Sequence, residues 1–140
     1  MSRIFFDTNL FVYLVEGTGP RAERVSALAE RMLERGDQLY TSTLTLGELL
    51  VKPIEKGNLA LRRAYEEILA THSVLIPFDR TVAAIYASVR QDRGIKAPDA
   101  IQLSCASAAR VDLFITNDGR LSRKVIPGIH FITELDKAFL

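Results

Sequence analysis

Four acidic residues stand where apolar segments of this chain give way to polar ones. They are Asp7 in Phe-Phe-Asp-Thr-Asn, Glu48 in Leu-Gly-Glu-Leu-Leu, Asp99 in Ala-Pro-Asp-Ala-Ile-Gln and Asp118 in Phe-Ile-Thr-Asn-Asp-Gly. Asp7 directly follows a hydrophobic run of strand character, and Asp118 lies two residues past another. In a parallel α/β sheet, segments leaving the carboxyl ends of strands converge on a shared crevice. Carboxylates gathered there repel one another unless a positive charge stands between them. The chemistry such a set calls for is that of a divalent cation, and oxygen-only ligands suit a hard ion.

Each acid also has a structural explanation of its own. Asp7 and Asp118 are competent helix caps. Asp99 would favour a helix through the positive end of its dipole. Glu48 could pair with Lys52 one turn on, for a few tenths of a kcal/mol. Glu48 is the hardest to explain this way, because it interrupts the leucine-rich turn from Leu44 to Leu50. A carboxylate desolvated there without a partner would cost roughly a few kcal/mol.

The elements that must position these groups follow from the hydrophobic pattern. Ile4-Phe5-Phe6 reads as a buried strand ending at Asp7. Leu10 to Val15 is ambiguous by composition, but Asp7-Thr8-Asn9 offers cap chemistry and favours a short buried helix. Gly17 to Pro20 is a turn, and Val25, Leu28, Ala29 and Met32 recur at amphipathic helical spacing up to Gly36. Gln38 to Thr41 is a second strand, and Ser42 or Thr43 can cap a helix carrying Leu46, Leu49 and Leu50 that is expected to stop before Pro53. Beyond Gly57-Asn58, Leu61, Tyr65, Ile68 and Leu69 mark another helix, and Val74 to Pro77 a third strand. Asp79 caps a helix bearing Val82, Ile85, Tyr86 and Val89, and Pro98-Asp99 open a small-residue helix from Ala100 to Ala109. Val111 to Thr116 is the fourth strand and Ile129 to Ile132 the fifth. Strands alternating with helices predict an α/β fold, a single parallel sheet flanked by helices on both faces.

A chain of 140 residues suits one domain, 1–140, with no linker or repeat to divide it. Its apolar share of 48% and charged share of 25% are those of a globular protein, and no apolar run approaches the roughly 20 residues of a membrane span. The opening Met-Ser-Arg-Ile-Phe-Phe lacks a charged-then-apolar secretion signal, so the cytoplasm is expected. Cys105, the single cysteine, excludes an internal disulfide and a cysteine-based zinc site, and its small-residue setting reads as buried packing. His72 and His130 lie outside the acidic motifs, Asp79 and Asp92 read as a helix cap and a surface charge, and no phosphate-loop or dinucleotide fingerprint occurs. The net charge of +1 does not advertise nucleic-acid binding. Basic residues nevertheless flank the acids: Arg90, Arg93 and Lys96 lead into Asp99, and Arg120, Arg123 and Lys124 follow Asp118. They read equally as phosphate-backbone contacts and as solvated faces.

The ordered set is more specific than its parts. Asp7-Thr8-Asn9 after the first strand, a lone acid at Glu48, Asp-Ala-Ile-Gln-Leu at Asp99 to Leu103, and Thr116-Asn117-Asp118 after the fourth strand resemble, across essentially the whole chain, the PIN domain of VapC-type toxins. The resemblance implies a PIN-like sheet and a metal-dependent ribonuclease that holds one or two Mg²⁺ or Mn²⁺ ions. It implies that Asp7, Glu48, Asp99 and Asp118 form the acidic quartet, with Thr8, Asn9, Thr116 and Asn117 as polar neighbours orienting the carboxylates or a water. It further implies RNA as substrate, a small VapB-type antitoxin as partner and a homodimer; an unpaired or loop region is the RNA most readily read. Two other readings stay open: a PIN-like module that binds RNA or protein without cutting, and an RNA-processing nuclease that is not a toxin. A phosphotransfer receiver domain is disfavoured, because the first strand supplies only Asp7 and Glu48 would have no role.

Overall fold

Ile4, Phe5 and Phe6 have fully buried side chains that alternate between two separate cores, and this alternation fixes the architecture. The computed structural model describes all residues, Met1–Leu140. In chain order the elements are β1 (Arg3–Phe6), α1 (Thr8–Glu16), α2 (Pro20–Arg35), β2 (Gln38–Ser42), α3 (Thr43–Lys56) and α4 (Leu59–His72). There follow β3 (Val74–Ile76), α5 (Arg80–Val89), α6 (Ala97–Ala108), β4 (Leu113–Thr116) and β5 (Phe131–Glu134), with single 3₁₀ turns at Leu121–Arg123 and Leu135–Lys137. The strands pair in the order β3-β2-β1-β4-β5, all parallel, as the alternation of strand and helix predicts.

Phe5 points to one face, where it stacks on Phe114 of β4 at 4.9 Å between ring centroids and 8° between planes. That core also takes Val82 and Val89 of α5 and Leu103, Cys105 and Ala106 of α6. Ile4 and Phe6 point to the other face and pack with Ile115, with Leu10 and Phe11 of α1, Val25 and Met32 of α2, Leu49 of α3, and Tyr65 and Leu69 of α4. The fully buried apolar strand residues are those of a sheet covered on both sides. Cys105 is buried as expected, and burial together with the Asp79 charge pushes its thiol up to about 11.

Three boundaries differ from the sequence reading. Helix α3 does not stop before Pro53 but continues to Lys56 and closes on Gly57, whose φ of 64° is the left-handed cap conformation. Proline deprives the helix of one backbone bond, and burial of its ring against the fold holds the last turn in place. The fifth strand begins at Phe131, two residues later than the apolar pattern suggested, because Ile129 turns inward as a loop residue. Gly128 before it has φ 91°, and a Cβ there would lie 2.7 Å from the Ser107 carbonyl oxygen. The fourth strand similarly starts at Leu113, while Val111 fills the core from the preceding loop.

Replacing Phe114 by alanine removes half of the stacked pair on which the β1–β4 contact rests. The expected loss is about 3–5 kcal/mol, read as a lower midpoint of urea denaturation with an unchanged slope.

Candidate active site

β1 and β4 lie side by side with Phe6 opposite Ile115, so the next residues outward are Asp7 and Thr116. The Asp7 backbone amide donates to the Ile115 carbonyl at 3.1 Å, extending the strand pairing by one residue. Its carboxylate caps α1, accepting from the Thr8 amide at 2.8 Å on Oδ1 and from the Thr116 hydroxyl at 2.9 Å on Oδ2. Asp99 enters from the first turn of α6, which Pro98 opens. Asp118 follows β4, its amide donating to the Thr116 hydroxyl oxygen at 3.1 Å. Parallel pairing and a helix start thus deliver three carboxylates to the carboxyl edge of the central strands, where ligand crevices form in open α/β sheets.

The electrostatics agree with that convergence. Burial raises the Asp7 carboxyl above its ordinary value, and the Asp118 charge adds to the shift. Asp99 is raised first by burial and then by the charges of Asp7 and Asp118. Asp118 is instead lowered, chiefly because the Arg120 guanidinium hydrogen-bonds to it, with Nη2 3.2 Å from Oδ2 and Nε 3.3 Å from Oδ1. Glu48 stands one step out. The Thr8 hydroxyl donates to its Oε1 at 2.7 Å, so it joins the cluster through Thr8, and no ion pair with Lys52 forms.

No three acidic side chains stand close enough to share an ion in this arrangement. The donor set nevertheless fits a divalent cation. It is made of carboxylate and hydroxyl oxygens alone, and two of its acids are held against their preference for the charged form. Arg120 supplies a positive charge at Asp118 that an ion would replace.

Gln102 was quoted in the motif but given no part in the site, and it is the centre of the buried polar network. Its Nε2 donates to Thr45 Oγ1 at 2.7 Å and to Thr8 Oγ1 at 3.1 Å, and reaches Asp7 Oδ1 at 3.4 Å. Its Oε1 accepts from the Ser42 hydroxyl, and Thr45 is also hydrogen-bonded to Thr41. The available signal was its place one turn after Asp99 in a helix of otherwise small and apolar residues.

Other expected residues fall differently. Thr8 and Thr116 hydrogen-bond to carboxylates, whereas the Asn117 amide donates to the Tyr13 hydroxyl at 2.9 Å and ties the β4 loop to α1. Asn9 is exposed and outside the hydrogen bonds that fix Thr8. Lys96 stands at the N-terminal boundary of α6 without capping it through its side chain, and its charge is felt by Asp99 and Asp118. Arg93 is exposed, and Arg123 lines a wholly polar cavity with Asp118 and Arg120. Arg90 lies over the Tyr86 ring, 5.9 Å from its centroid. Lys124 is engaged by Asp92 at 2.8 Å, which also makes Asp92 an ion-pair partner rather than a lone surface charge.

The chain belongs to the PIN domain family, which it matches over residues 4–126. Among solved structures, it is similar to a chain of VapBC2 from Rickettsia felis bound to a DNA fragment from their promoter, at 18% identity, TM-score 0.74, and 94% and 98% of the two chains covered. A chain of DNA-bound VapBC from Salmonella typhimurium matches at 19% identity and TM-score 0.66, covering 96% of this chain and 99% of that one. FitAcB from Neisseria gonorrhoeae matches at 26% identity and TM-score 0.61, over 82% and 87%. These likenesses agree with the PIN-like sheet expected from the motifs. Among curated proteins, none is detectably similar in sequence.

The raised Asp7 carboxyl has a consequence for stability. A folded-state value above the unfolded one contributes stability fully present below the unfolded value and lost as pH rises through the folded one. At neutral pH the charged Asp7 is therefore a cost, and Asp7→Asn removes it while keeping a competent cap. The thermal midpoint of metal-free Asp7→Asn should exceed that of the unsubstituted protein at pH 7.5, and the gap should narrow towards pH 4. An equal or lower midpoint at pH 7.5 contradicts the burial penalty.

Proposed function

We propose that the protein is a Mg²⁺- or Mn²⁺-dependent endoribonuclease that hydrolyses RNA phosphodiester bonds. The observation that carries this reading is that the Thr116 hydroxyl joins Asp7 and Asp118 at the ends of β1 and β4, while Asp99, in the first turn of α6, is near enough to feel both charges. Asp7, Asp99 and Asp118 would hold one or two ions, with Glu48 completing the shell through Thr8. A divalent ion there supplies Lewis-acid polarisation of the phosphate and a more acidic water. The chain's own contribution is positional. Thr116 and Thr8 fix the carboxylate of Asp7, Gln102 holds Thr8, and Lys96, Arg120 and Arg123 supply positive charge for the RNA backbone.

The similarity to VapBC structures supports a place in a toxin–antitoxin pair, with this chain as toxin and a VapB-type antitoxin as its inhibitor; a homodimer is proposed as its working form. A structure described as a toxin–antitoxin complex from Klebsiella pneumoniae matches with TM-score 0.65 and supports the same assignment. A basic antitoxin side chain could neutralise Asp118 as Arg120 does. An unpaired or loop region of RNA suits the site best, since its bases can be splayed from the backbone. No helix is long and apolar enough to cross a membrane.

Purified protein should cut labelled RNA with Mn²⁺, lose the activity in EDTA, and lose it by at least about a hundredfold on Asp99→Asn, the scale of a lost key electrostatic group. A folded Asp99→Asn variant that cuts at the original rate would remove Asp99 from the site. Absence of cleavage across several RNA classes, with metal bound, would favour a module that binds without cutting.

Arg120 competes with a cation for Asp118. Arg120→Ala should therefore bind Mn²⁺ more tightly than the unsubstituted protein by calorimetry, whether or not RNA is cut. Weaker binding would show that Arg120 supports the ion site rather than occupying it.

A further inference from the structure

Two cavities share residues with the carboxylate cluster. One, beside Asp118, is lined only by polar residues. The other, of about 480 Å³, is lined by Thr8 and Glu48 together with further residues of α1, α3 and α4. Val12 of α1 and Leu49, Val51 and Pro53 of α3 give it apolar walls. Tyr65 of α4 lines it as well, and its hydroxyl donates to the Glu16 carboxylate, which is also part of the lining. Asn9 and Lys52 supply the remaining polar groups.

These last two side chains are uncommitted. The expected Glu48–Lys52 pair does not form, because Glu48 accepts from Thr8, and Lys52 takes part in no ion pair. Lys52 is thus an exposed cation without an ion-pair partner on a cavity that Glu48 also lines. Apolar walls with a few convergent polar groups are the composition of a small-ligand pocket. A ligand suited to this one has a flat apolar body, a hydrogen-bonding edge for an amide and an anionic group for a lysine. Because Thr8 and Glu48 line the cavity, an occupant would lie beside whatever reaches the carboxylates.

We propose that this cavity holds one unpaired nucleotide adjoining the scissile phosphate, with Lys52 on its phosphate and the Asn9 amide on its base edge. The proposal rests on the RNA-cleaving reading above. It makes Asn9 a specificity-determining residue rather than an orienter of the acids, and Lys52 an affinity contact to the backbone. Recognition of splayed bases by their edges, combined with apolar contact to their faces, is the usual route to sequence preference in RNA. An asparagine amide presents a donor and an acceptor side by side, the arrangement that pairs bidentately with adenine.

The test uses the full chain with Mn²⁺ and a randomised single-stranded RNA library, cut-site sequences being read for the unsubstituted protein, Lys52→Ala and Val51→Trp. Val51 is 59% exposed, so an indole there fills the cavity from its rim without entering the core. Circular dichroism melting and Mn²⁺ calorimetry, expected to be unchanged in both variants, separate a filled pocket from a damaged fold or ion site. Lys52→Ala should raise KM about tenfold with kcat nearly constant, the loss of a hydrogen bond to a charged group. Val51→Trp should flatten the base preference at one position beside the cut. Unchanged KM and preference in both folded variants overturn the subsite and leave the cavity to a protein segment. Failure of the unsubstituted protein to cut any RNA rejects the nuclease reading first, and this subsite with it.

Discussion

The register of β1 against β4 is the constraint on which the site depends. Phe6 lies opposite Ile115 and Phe5 stacks on Phe114, so the two strands end in step and leave Asp7 beside Thr116. A slip of β1 by one residue would send Ile4 and Phe6 to the face where Phe114 packs and take Phe5 off that face, emptying two well-filled cores. The apolar packing on both faces therefore aligns the polar residues at the strand ends. Packing further along the two strands thereby brings the Asp7 carboxylate within 2.9 Å of the Thr116 hydroxyl.

What the register imposes on Asp7, the neighbouring polar groups must make tolerable. Asp7 is drawn out of water, and the hydrogen bonds from the Thr8 amide, the Thr116 hydroxyl and Gln102 oppose the resulting shift without cancelling it. Gln102 links these donors to Thr45 and Ser42 in a network buried behind the acids. A buried network of this kind is stabilising only when its members are satisfied, and it then fixes rotamers closely. The acids remain mutually repelling, which is the condition under which a cation binds most strongly.

The alternation of strands and helices and the positions of the acids were legible in the sequence because both are local patterns. Asp7 ends an apolar triplet, and Asp99 follows a helix-opening proline. Features that depend on distant partners were not legible. Gln102 acts on residues 94, 95, 57 and 60 positions away, and Asn117 turns to Tyr13, 104 positions distant, rather than to the adjacent acid. Charge runs misled in the same way. Lys124 looks equivalent to Arg123 in sequence, but it meets Asp92 while Arg123 faces the polar cavity beside Asp118. Pro53 read as a helix stop because proline's local cost is certain, whereas the packing that offsets it is not written nearby.

Thr8 connects the two halves of the functional surface. Its amide binds the Asp7 carboxylate, its hydroxyl donates to Glu48, and Gln102 reaches the same hydroxyl oxygen from α6. On one side of it lie the converging acids, and on the other the cavity bounded by Glu48, Lys52 and Asn9. A hydroxyl is suited to this position because it can donate to one carboxylate while accepting from an amide. The first turn of α1 consequently sets both where the acids stand and where the adjoining cavity begins. Thr8 thus touches Asp7 through its backbone and Glu48 through its side chain, and the two contacts are made by different atoms.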